Sequence, residues 1–518
     1  MPFRTAATAI RRALRADSIM RAARTARERP LARACMILFL FWPIANSFAS
    51  VDPDLSPIQF KGLGLPNLPV DILPLIQVRL SIQNDGHGAF ATLPPEHKFR
   101  LYPTNEVGAA PLGNGGSVIL FQNAAQPSWL GENPTTLWLE GRIHGASGLL
   151  STEVLLGDSV IGRDSVRIRT APFLVLSNCD PAEKLFFAGG STPIWLKFMF
   201  DVTNALNGVI ECEESHFDPF PQDVAEIGWA GVSAGRRTVW SLDRQNGFAE
   251  LLDANVGCFA NPEAPGMGGN IEASPPTQLH PHGRIIVGDN LPEPAKAFLR
   301  AQEVQTHDGS LIELPLDWLK VGHVDEVVSI VPLQGGAGFK IFVGDLDLAA
   351  QLLLDEISDL EDLLLETPDD QSLIDRQAWL ESHAAPYLSP ANEASVNVVR
   401  TKLSAIRAKL TEGLGIDSQS LISAPVLYPI LNVVDTHPQE AEWILPNPLN
   451  MVVLNNLSGV RRILIPDPGV DRMLFHFGSR LQQIGYSSND LWAVDTAAPH
   501  SGFGEVHCAS NVARRRTP

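Results

Sequence analysis

Residues 317–332 read Asp-Trp-Leu-Lys-Val-Gly-His-Val-Asp-Glu-Val-Val-Ser-Ile-Val-Pro, a polar motif that runs directly into an apolar, β-branched segment. The apolar segment 327–332 predicts a strand, since it is short, continuous and rich in Val and Ile. His323 and Asp325 lie two residues apart just before it. In an extended segment such side chains project from the same face, so we expect both to reach one substrate.

Strand and helix patterns mix on both sides of this motif, from about residue 170 to the end of the chain, which predicts an α/β fold. Residues 339–343 predict another strand, and two apolar stripes at helical spacing predict helices that pack against a core. The stripes are Leu353, Ile357, Leu360 and Leu364, and Val399, Leu403, Ile406 and Leu410, the second ending near Gly413 and Gly415.

Between residues 70 and 165, short segments of alternating polar and apolar residues are separated by Gly, Pro and Asn. Period-two patterning at this spacing predicts a β-sandwich of the size of a small Ig-like domain. The predicted strands are 78–83, 99–102, 117–121, 136–141 and 152–156. We therefore expect an Ig-like β-sandwich over residues 70–168, preceded by a Pro-rich linker over residues 50–69.

The first 33 residues carry many arginines and only two carboxylates, and they lead into an apolar run over residues 34–44 that is too short to span a bilayer comfortably. Followed by Ser47-Phe48-Ala49, this run predicts a signal peptide over residues 1–49, cleaved after Ala49, and a secreted or periplasmic protein. Met20 is an alternative start with a more compact leader. A membrane-anchored or cytoplasmic form stays open.

The composition describes a globular chain: 518 residues, 45% hydrophobic and 19% charged, enough for two or three domains. A formal net charge of −19 argues against a nucleic-acid-binding surface, which needs clustered Lys and Arg. An acidic surface suits cationic partners such as arginine-rich polypeptides or calcium, or serves solubility alone.

Cysteines are few. Removal of Cys35 with the leader leaves Cys179, Cys212, Cys258 and Cys508, and whether two of the first three form a disulfide stays open. No Cys-x-x-Cys pair occurs, which argues against a zinc–thiolate site.

Cys508, at the end of Gly504-Glu-Val-His-Cys508, completes a set of chemical groups with Asp223, His323 and Asp325. A guanidinium is a permanent cation with five N–H donors, so two carboxylates can hold it, here Asp223 and Asp325. A Cys508 thiolate could attack its central carbon, while His323 protonates the departing ammonia and then activates water. The set predicts a hydrolase that acts on arginine side chains.

A thiol of ordinary pKa, about 8.5, is mostly protonated at neutral pH. Either His323 or the cationic substrate must therefore favour the thiolate.

Hard oxygen donors cluster along the sequence near Asp223. Gln222 and Glu226 flank it, and Glu272 lies in the turn-rich loop 268–276, whose backbone carbonyls are free to point inward. Carboxylates, an amide oxygen and carbonyls are the ligands that Ca²⁺ prefers. The alternative is a set of surface acids.

Several ordered motifs over roughly residues 70–518 resemble the protein-arginine deiminases, also called peptidylarginine deiminases. They are Arg169-Thr-Ala-Pro-Phe173, Gln222-Asp-Val-Ala-Glu-Ile-Gly228, Glu272-Ala-Ser-Pro-Pro276, the motif of residues 317–326, Pro446-Asn-Pro-Leu-Asn-Met-Val-Val-Leu454 and Gly504-Glu-Val-His-Cys-Ala-Ser-Asn511. The resemblance implies a five-bladed α/β propeller, or pentein, catalytic domain over residues 169–518. It also implies calcium-dependent conversion of peptidyl arginine to citrulline through a thiouronium intermediate on the cysteine.

Matching positions imply catalytic roles for Asp223, His323, Asp325 and Cys508. The implied calcium ligands are Gln222, Glu226 and Glu272, with the main-chain oxygens of Gly268 and Ile271. Phe220 matches an aromatic wall for the substrate's alkyl stem, although burial as ordinary core is equally consistent, and Arg244 matches a substrate contact. Asn246 stands where the family commonly has a second arginine, so peptide recognition can differ. Val224 replaces a second acidic residue, which argues against a second calcium site.

The expected partners are arginine-containing proteins or peptides, with no nucleic acid and no stable membrane span after signal cleavage, and a homodimer stays open. One alternative is a deiminase of free arginine or another small guanidine. Another is a catalytically inactive calcium-binding or adhesion module.

Overall fold

The computed structural model describes residues 56–60, 76–84, 94, 98–102, 117–121, 135–141, 144–156, 159–215, 219–232, 235–242, 257–259, 264–334, 338–428 and 445–516. The predicted leader, residues 1–49, lies outside them. The chain divides into two compact units, Met1–Ala171 and Pro172–Pro518.

Within the described residues of the first unit, seven strands form two antiparallel sheets, in the orders β1-β5-β3 and β4-β2-β6-β7. All five strands predicted from alternation are present, and β1 lies within the Pro-rich segment 50–69. Alternation works here because Leu80, Ile82 and Leu150 are buried while Gln83 is exposed. The strands are β1 Ser56–Phe60, β2 Ile76–Gln83, β3 Phe99–Tyr102, β4 Ser117–Phe121, β5 Thr135–Gly141, β6 Ser147–Leu156 and β7 Ser159–Arg169.

The second unit is α/β, as the sequence predicts. Its strands are β8 Phe173–Leu174, β9 Ala182–Ala188, β10 Glu211–Ser215, β11 Ala225–Ala230, β12 Arg236–Ser241, β13 Gly257–Phe259, β14 Ile271–Ala273, β15 Ile285–Gly288, β16 Ile312–Leu314, β17 Val328–Pro332, β18 Phe339–Asp345, β19 Leu421–Pro425, β20 Val452–Asn455, β21 Arg461–Pro466, β22 Leu491–Val494 and β23 Ser510–Arg514. Its α-helices are α1 Pro193–Leu206, α2 Pro221–Val224, α3 Glu293–Ala301, α4 Leu346–Glu366, α5 Gln371–Leu388, α6 Glu393–Leu414, α7 Asp471–Gln483 and α8 Ala497–His500.

Five small sheets of the second unit share one pattern: a middle strand pairs antiparallel with one neighbour and parallel with the other. The middle strands are β9, β12, β15, β18 and β21. In four sheets the antiparallel neighbour comes just before the middle strand in the chain, whereas for β9 it is β23, from the end of the chain. This repeat is structural, and the sequence alone shows no internal repeat.

Helices connect four of the five parallel pairs, since parallel strands need a crossover rather than a tight turn; the connection from β12 to β13 lies outside the described residues. Helix α1 joins β9 to β10, α3 joins β15 to β16, α4 to α6 join β18 to β19, and α7 joins β21 to β22. Helix α4 begins after Asp345, whose carboxylate accepts the Leu348 N–H, and α6 ends at Gly415, whose φ is +62°.

Seven of the eight residues of the predicted helical stripes pack inward, whereas Leu364 of α4 is only half-buried and lies outside the core cluster. Leu353, Ile357 and Leu360 of α4 and all four stripe residues of α6 are buried in one hydrophobic cluster with the strands around Ile330 and Phe342. Burial of each such side chain contributes about 1.5–3 kcal/mol. This core fixes the sheet whose first strand follows the His323 motif.

Among the described residues, no helix is both long and apolar enough to cross a bilayer. Cys179, Cys212 and Cys508 are free thiols. The side chain of Cys258 lies outside the described residues.

Candidate active site

Polar residues stand at the same topological position in successive repeats of the second unit, just before the antiparallel strand. Asp223, Asp325, Asn450 and Cys508 lie two or three residues before β11, β17, β20 and β23. In the remaining repeat, Gly268–Asn270 forms a 3₁₀ turn directly before β14. The repeat therefore brings residues that are distant in sequence to one place.

Asp223 lies in the one-turn helix α2, which begins at Pro221. Asn511, in β23, donates through Nδ2 to the carbonyls of Pro221 (3.1 Å) and Ala225 (2.7 Å), one at each end of this turn. The Gln222 N–H donates to the Cys508 carbonyl at 3.4 Å. These contacts join the Asp223 turn to the segment that carries Cys508.

The His323 side chain is 1% exposed, and its ring is held by a hydrogen bond through Nε2. Nε2 lies 2.8 Å from the Gly266 carbonyl, and since a carbonyl only accepts, Nε2 carries a hydrogen. The backbone N–H donates to Glu326 Oε1 at 2.7 Å. Nδ1 lies 3.7 Å from Asp223 Oδ1 and has no hydrogen-bond partner among the described residues, so it is available to a ligand.

Asp325 lies in a 3₁₀ turn, Val324–Glu326, so the expected extended geometry for His323 and Asp325 is wrong. The two side chains nevertheless converge. A Cβ added at Gly269 would lie 2.7 Å from His323 Nδ1 and 2.8 Å from Asp325 Oδ2, so both atoms border one backbone position that only glycine fits. Asp325 Oδ1 is buried and accepts no hydrogen bond within the described part of the chain.

Cys508 is 3% exposed and lies among three polar side chains. Its Sγ is 3.2 Å from Asn450 Nδ2 and 3.5 Å from Asp325 Oδ2, while Asn450 Oδ1 accepts the N–H groups of His507 (3.0 Å) and Cys508 (3.2 Å). Burial and the charges of Asp325 and Asp223 raise the pKa of the thiol well above its ordinary value. The raised pKa favours the thiol form of Cys508, which donates to Asp325.

His507 connects this group to a second cluster. Its Nδ1 lies 2.8 Å from Asp325 Oδ2 and its Nε2 lies 3.5 Å from Glu272 Oε1. Burial lowers the pKa of His507, but the hydrogen bond to Asp325 and the charges of Asp325 and Glu272 outweigh it and raise the pKa above its ordinary value.

The second cluster surrounds a cavity of about 30 Å³, which Gln222, Glu226, Ile271, Glu272 and His507 help to line. Burial and the charge of Glu272 raise the pKa of Glu226 well above its ordinary value, and burial also raises that of Glu272. Four of the five residues predicted to bind calcium thus line or border one cavity through their side chains or backbone, and Gly268 adjoins it.

The donor set fits a hard cation. Gln222 Nε2 lies 3.5 Å from both Glu226 Oε2 and the Gly268 carbonyl, and with the amide turned over its oxygen would join these two oxygens. Gly268 itself approaches so closely that an added Cβ would lie 1.7 Å from the Gln222 carbonyl oxygen. An amide, carboxylates and carbonyls are Ca²⁺ ligands. No group of three or more His, Cys, Asp or Glu suited to a metal occurs among the described residues.

Arg514 also lines the cavity, but its N–H groups are used elsewhere. They donate to Asn178 Oδ1 (2.8 Å) and to the carbonyls of Val453 (2.8 Å) and Asp180 (3.1 Å). Its charge therefore moderates the two carboxylates without occupying their oxygens.

Phe220 is half-buried at the edge of the site. An added Cβ would lie 2.2 Å from its ring at Gly504 and 3.0 Å from it at Gly502, so the two glycines make room for the ring. Arg244 and Asn246 lie outside the described residues.

Two residues of the site carry no role in the sequence prediction, Asn450 and His507. Both fall inside motifs that are visible in the sequence, one before a buried strand and one beside the cysteine. Their roles come from contacts with distant residues, which a linear pattern does not reveal.

A family model described as "Protein-arginine deiminase (PAD)" matches residues 160–517. The chain is 26% identical to protein-arginine deiminase type-4 of Rattus norvegicus over 400 residues, which cover 70% of this chain and 57% of that protein. It is 31% identical to type-3 of the same species, with coverages of 71% and 59%. It is 25% identical to type-1 of Homo sapiens, with coverages of 78% and 64%.

Across these matches, the chain spans about three fifths of the length of the curated relatives. Among solved structures, an agmatine deiminase of Enterococcus faecalis aligns with a TM-score of 0.39 and 12% identity, over 67% of this chain and 96% of that one. The family match covers well over half of the chain, including every residue predicted above to be catalytic or to bind calcium. The chain belongs to the protein-arginine deiminase family.

Proposed function

We propose that this protein hydrolyses arginine side chains of proteins or peptides to citrulline and ammonia, and that it needs calcium to do so. The observation that carries the proposal is the convergence of four groups: His323 Nδ1 and Asp325 meet beside Gly269, the Cys508 thiol contacts Asp325, and the Asp223 carboxylate lies near the free Nδ1 of His323. Membership in the family supports the same reaction.

The substrate guanidinium binds between Asp223 and Asp325. Asp325 Oδ1 is buried and accepts no hydrogen bond within the described residues, so a guanidinium N–H supplies the missing donor. The cation also offsets the two negative charges that raise the pKa of Cys508. Substrate binding thus favours the thiolate, and the enzyme generates its nucleophile when there is something to attack.

In the first half of the reaction, the Cys508 thiol proton passes to His323 Nδ1, Sγ bonds to the guanidinium carbon and one C–N bond breaks. The departing nitrogen takes a proton from His323 Nδ1 and leaves as ammonia, so a thiouronium remains on the cysteine. His323 then removes a proton from water, whose oxygen bonds to the same carbon as the C–S bond breaks. The products are citrulline and the regenerated cysteine.

Gln222, Glu226 and Glu272 would hold the calcium ion, with the carbonyls of Gly268 and Ile271. When bound, the ion supplies positive charge that compensates the two buried carboxylates. The raised pKa values of Glu226 and Glu272 support a demand for such a charge.

Further parts of the assignment extend the proposal. The fivefold repetition of the antiparallel and parallel pair supports a five-bladed α/β propeller, and the two antiparallel sheets of the first unit support an Ig-like sandwich. The Arg-rich leader with its apolar run supports export with cleavage after Ala49.

Citrulline and ammonia release from purified residues 50–518 tests the function. The assay offers N-benzoyl-arginine peptide or free arginine, each with calcium or with a chelator. We expect turnover of the peptide only with calcium, none in the Cys508→Ser variant, and a calcium requirement at least about tenfold higher in Glu226→Gln and Glu272→Gln. Preference for free arginine would identify a small-guanidine deiminase. If folded protein released citrulline from neither substrate, the proposed enzymatic function would be refuted.

A further inference from the structure

His507 lies between the two clusters that the proposed function uses. Through Nδ1 it contacts Asp325, the carboxylate that would hold the guanidinium and that also accepts from Cys508. Through Nε2 it contacts Glu272, a carboxylate of the cation cavity. One imidazole therefore links the cavity to the reacting centre in two contacts.

The backbone holds the His507 ring so that it can hardly change its contact with Asp325 without also changing its contact with Glu272. The His507 N–H donates to Asn450 through both the backbone carbonyl and the side-chain Oδ1, each at 3.0 Å. The residue is 9% exposed, and it is the immediate neighbour of Cys508. Because packed interiors are close to solid in density, a ring held at its base can change contacts mainly by rotating about its own side-chain bonds.

The two contacts of the ring differ in strength. The contact with Asp325, at 2.8 Å, is a full hydrogen bond in which Nδ1 donates, since a carboxylate only accepts. The contact with Glu272, at 3.5 Å, is at the limit of hydrogen bonding. The ring therefore occupies Asp325 Oδ2, one of the two oxygens that a bidentate guanidinium would use.

We propose that His507 is a positioning residue that couples occupation of the cation cavity to the readiness of Asp325 for substrate. If Glu272 turned towards a bound cation, the second contact of the His507 ring would change, and the ring would then release or reorient the Asp325 carboxylate. Cation and guanidinium accordingly strengthen each other's binding. The inference rests on the proposed function, since it assumes that the cavity binds calcium and that Asp325 binds guanidinium.

Two isosteric substitutions separate the ends of the link. In His507→Asn, the side-chain N–H replaces Nδ1 and keeps the Asp325 contact but does not reach Glu272. In His507→Gln, the side-chain N–H replaces Nε2 and keeps the Glu272 contact but not that with Asp325. A role in packing alone would respond to lost volume, whereas coupling requires both ends of the same side chain.

The measurement is the calcium dissociation constant by isothermal titration calorimetry, with and without saturating N-benzoyl-arginine amide. The parent is the full chain carrying Cys508→Ser, so the ligand binds without turnover. The coupling ratio is the calcium dissociation constant without the arginine ligand divided by the constant with it. We expect a coupling ratio of about ten in the parent, within the usual range of allosteric coupling. In both His507 variants we expect it to fall to within about twofold of one. His500→Asn, which alters a His–carboxylate pair with Glu505 in the same loop, serves as the matched control and should keep the parent ratio.

If either folded His507 variant keeps the coupling ratio of the parent, the inference is wrong. It is also wrong if the His500→Asn control loses that ratio. Thermal unfolding identifies a His507 variant that fails to fold. The coupling ratio of the remaining His507 variant then tests the inference. If the ligand leaves the calcium dissociation constant of the parent unchanged, the inference is wrong. Calcium-dependent citrulline release from the native protein would then show that the proposed function holds without coupling through His507. No citrulline release in that assay would refute both the function and the coupling.

Discussion

Replacing Asp325 by Asn removes a negative charge 3.5 Å from the Cys508 thiol. At an effective dielectric constant of about 20, a unit charge at that distance raises the energy of a thiolate by about 5 kcal/mol. The thiol is 3% exposed, so bulk water screens little of this interaction. A third of that energy already exceeds the roughly 1.4 kcal/mol that corresponds to a factor of ten.

The variant should therefore react with iodoacetamide at Cys508 at least about tenfold faster than the native protein at neutral pH without calcium, because its thiol has a lower pKa. Citrulline release should fall in the same variant, because one guanidinium-binding carboxylate is gone. Peptide mass spectrometry measures alkylation at Cys508 separately from Cys179 and Cys212. Asp317→Asn, which removes an exposed carboxylate paired with Lys402, controls for net charge. An alkylation rate that is unchanged or slower in Asp325→Asn would refute the electrostatic account of the resting thiol.

Three further changes test other parts of the site. Asn450→Ala leaves the buried Cys508 N–H without its side-chain acceptor and should lower the free energy of unfolding in urea by about 1–3 kcal/mol; a loss under about 0.5 kcal/mol would contradict this. Burial raises the pKa of Glu326, so the folded state keeps a proton that the unfolded chain releases near pH ~4.3, and stability should fall as pH rises above that value. Glu326→Gln should flatten that slope in urea unfolding, and an equal slope in the variant would exclude this carboxyl as its source. Gly504→Ala places a Cβ 2.2 Å from the Phe220 ring and should raise KM for arginine peptides more than it lowers kcat; the reverse would argue against Phe220 as a substrate wall.

Local periodicity was enough to predict five of the seven described strands of the first unit and two of the three long helices described in the second. Alternation and helical spacing follow directly from which face is buried, so Leu80, Leu353 and Ile406 could be placed without a tertiary structure. Membership in the family followed from ordered motifs rather than from periodicity.

The geometry of the His323 motif was not predictable in the same way. Gly322 adopts a φ of +78°, and Glu326 accepts the His323 N–H, so the chain turns where its pattern suggested extension. The fivefold repeat also escaped the sequence, because its members share a position before a strand rather than a residue type. The roles of Asn450 and His507 depend on contacts across that repeat.

The strand that follows Cys508 has a consequence for the order in which the site can assemble during synthesis. β23 pairs with β9, and in that register Ser510 lies opposite Phe187 and Ala513 opposite Lys184. A chain that emerges from the ribosome N-terminus first can form β9 long before β23 exists. Until that last strand docks, Cys508 has no fixed place beside Asp325 and Asn450. In the nascent polypeptide, the proposed catalytic set can therefore be complete only after the segment that follows Cys508 has been synthesised.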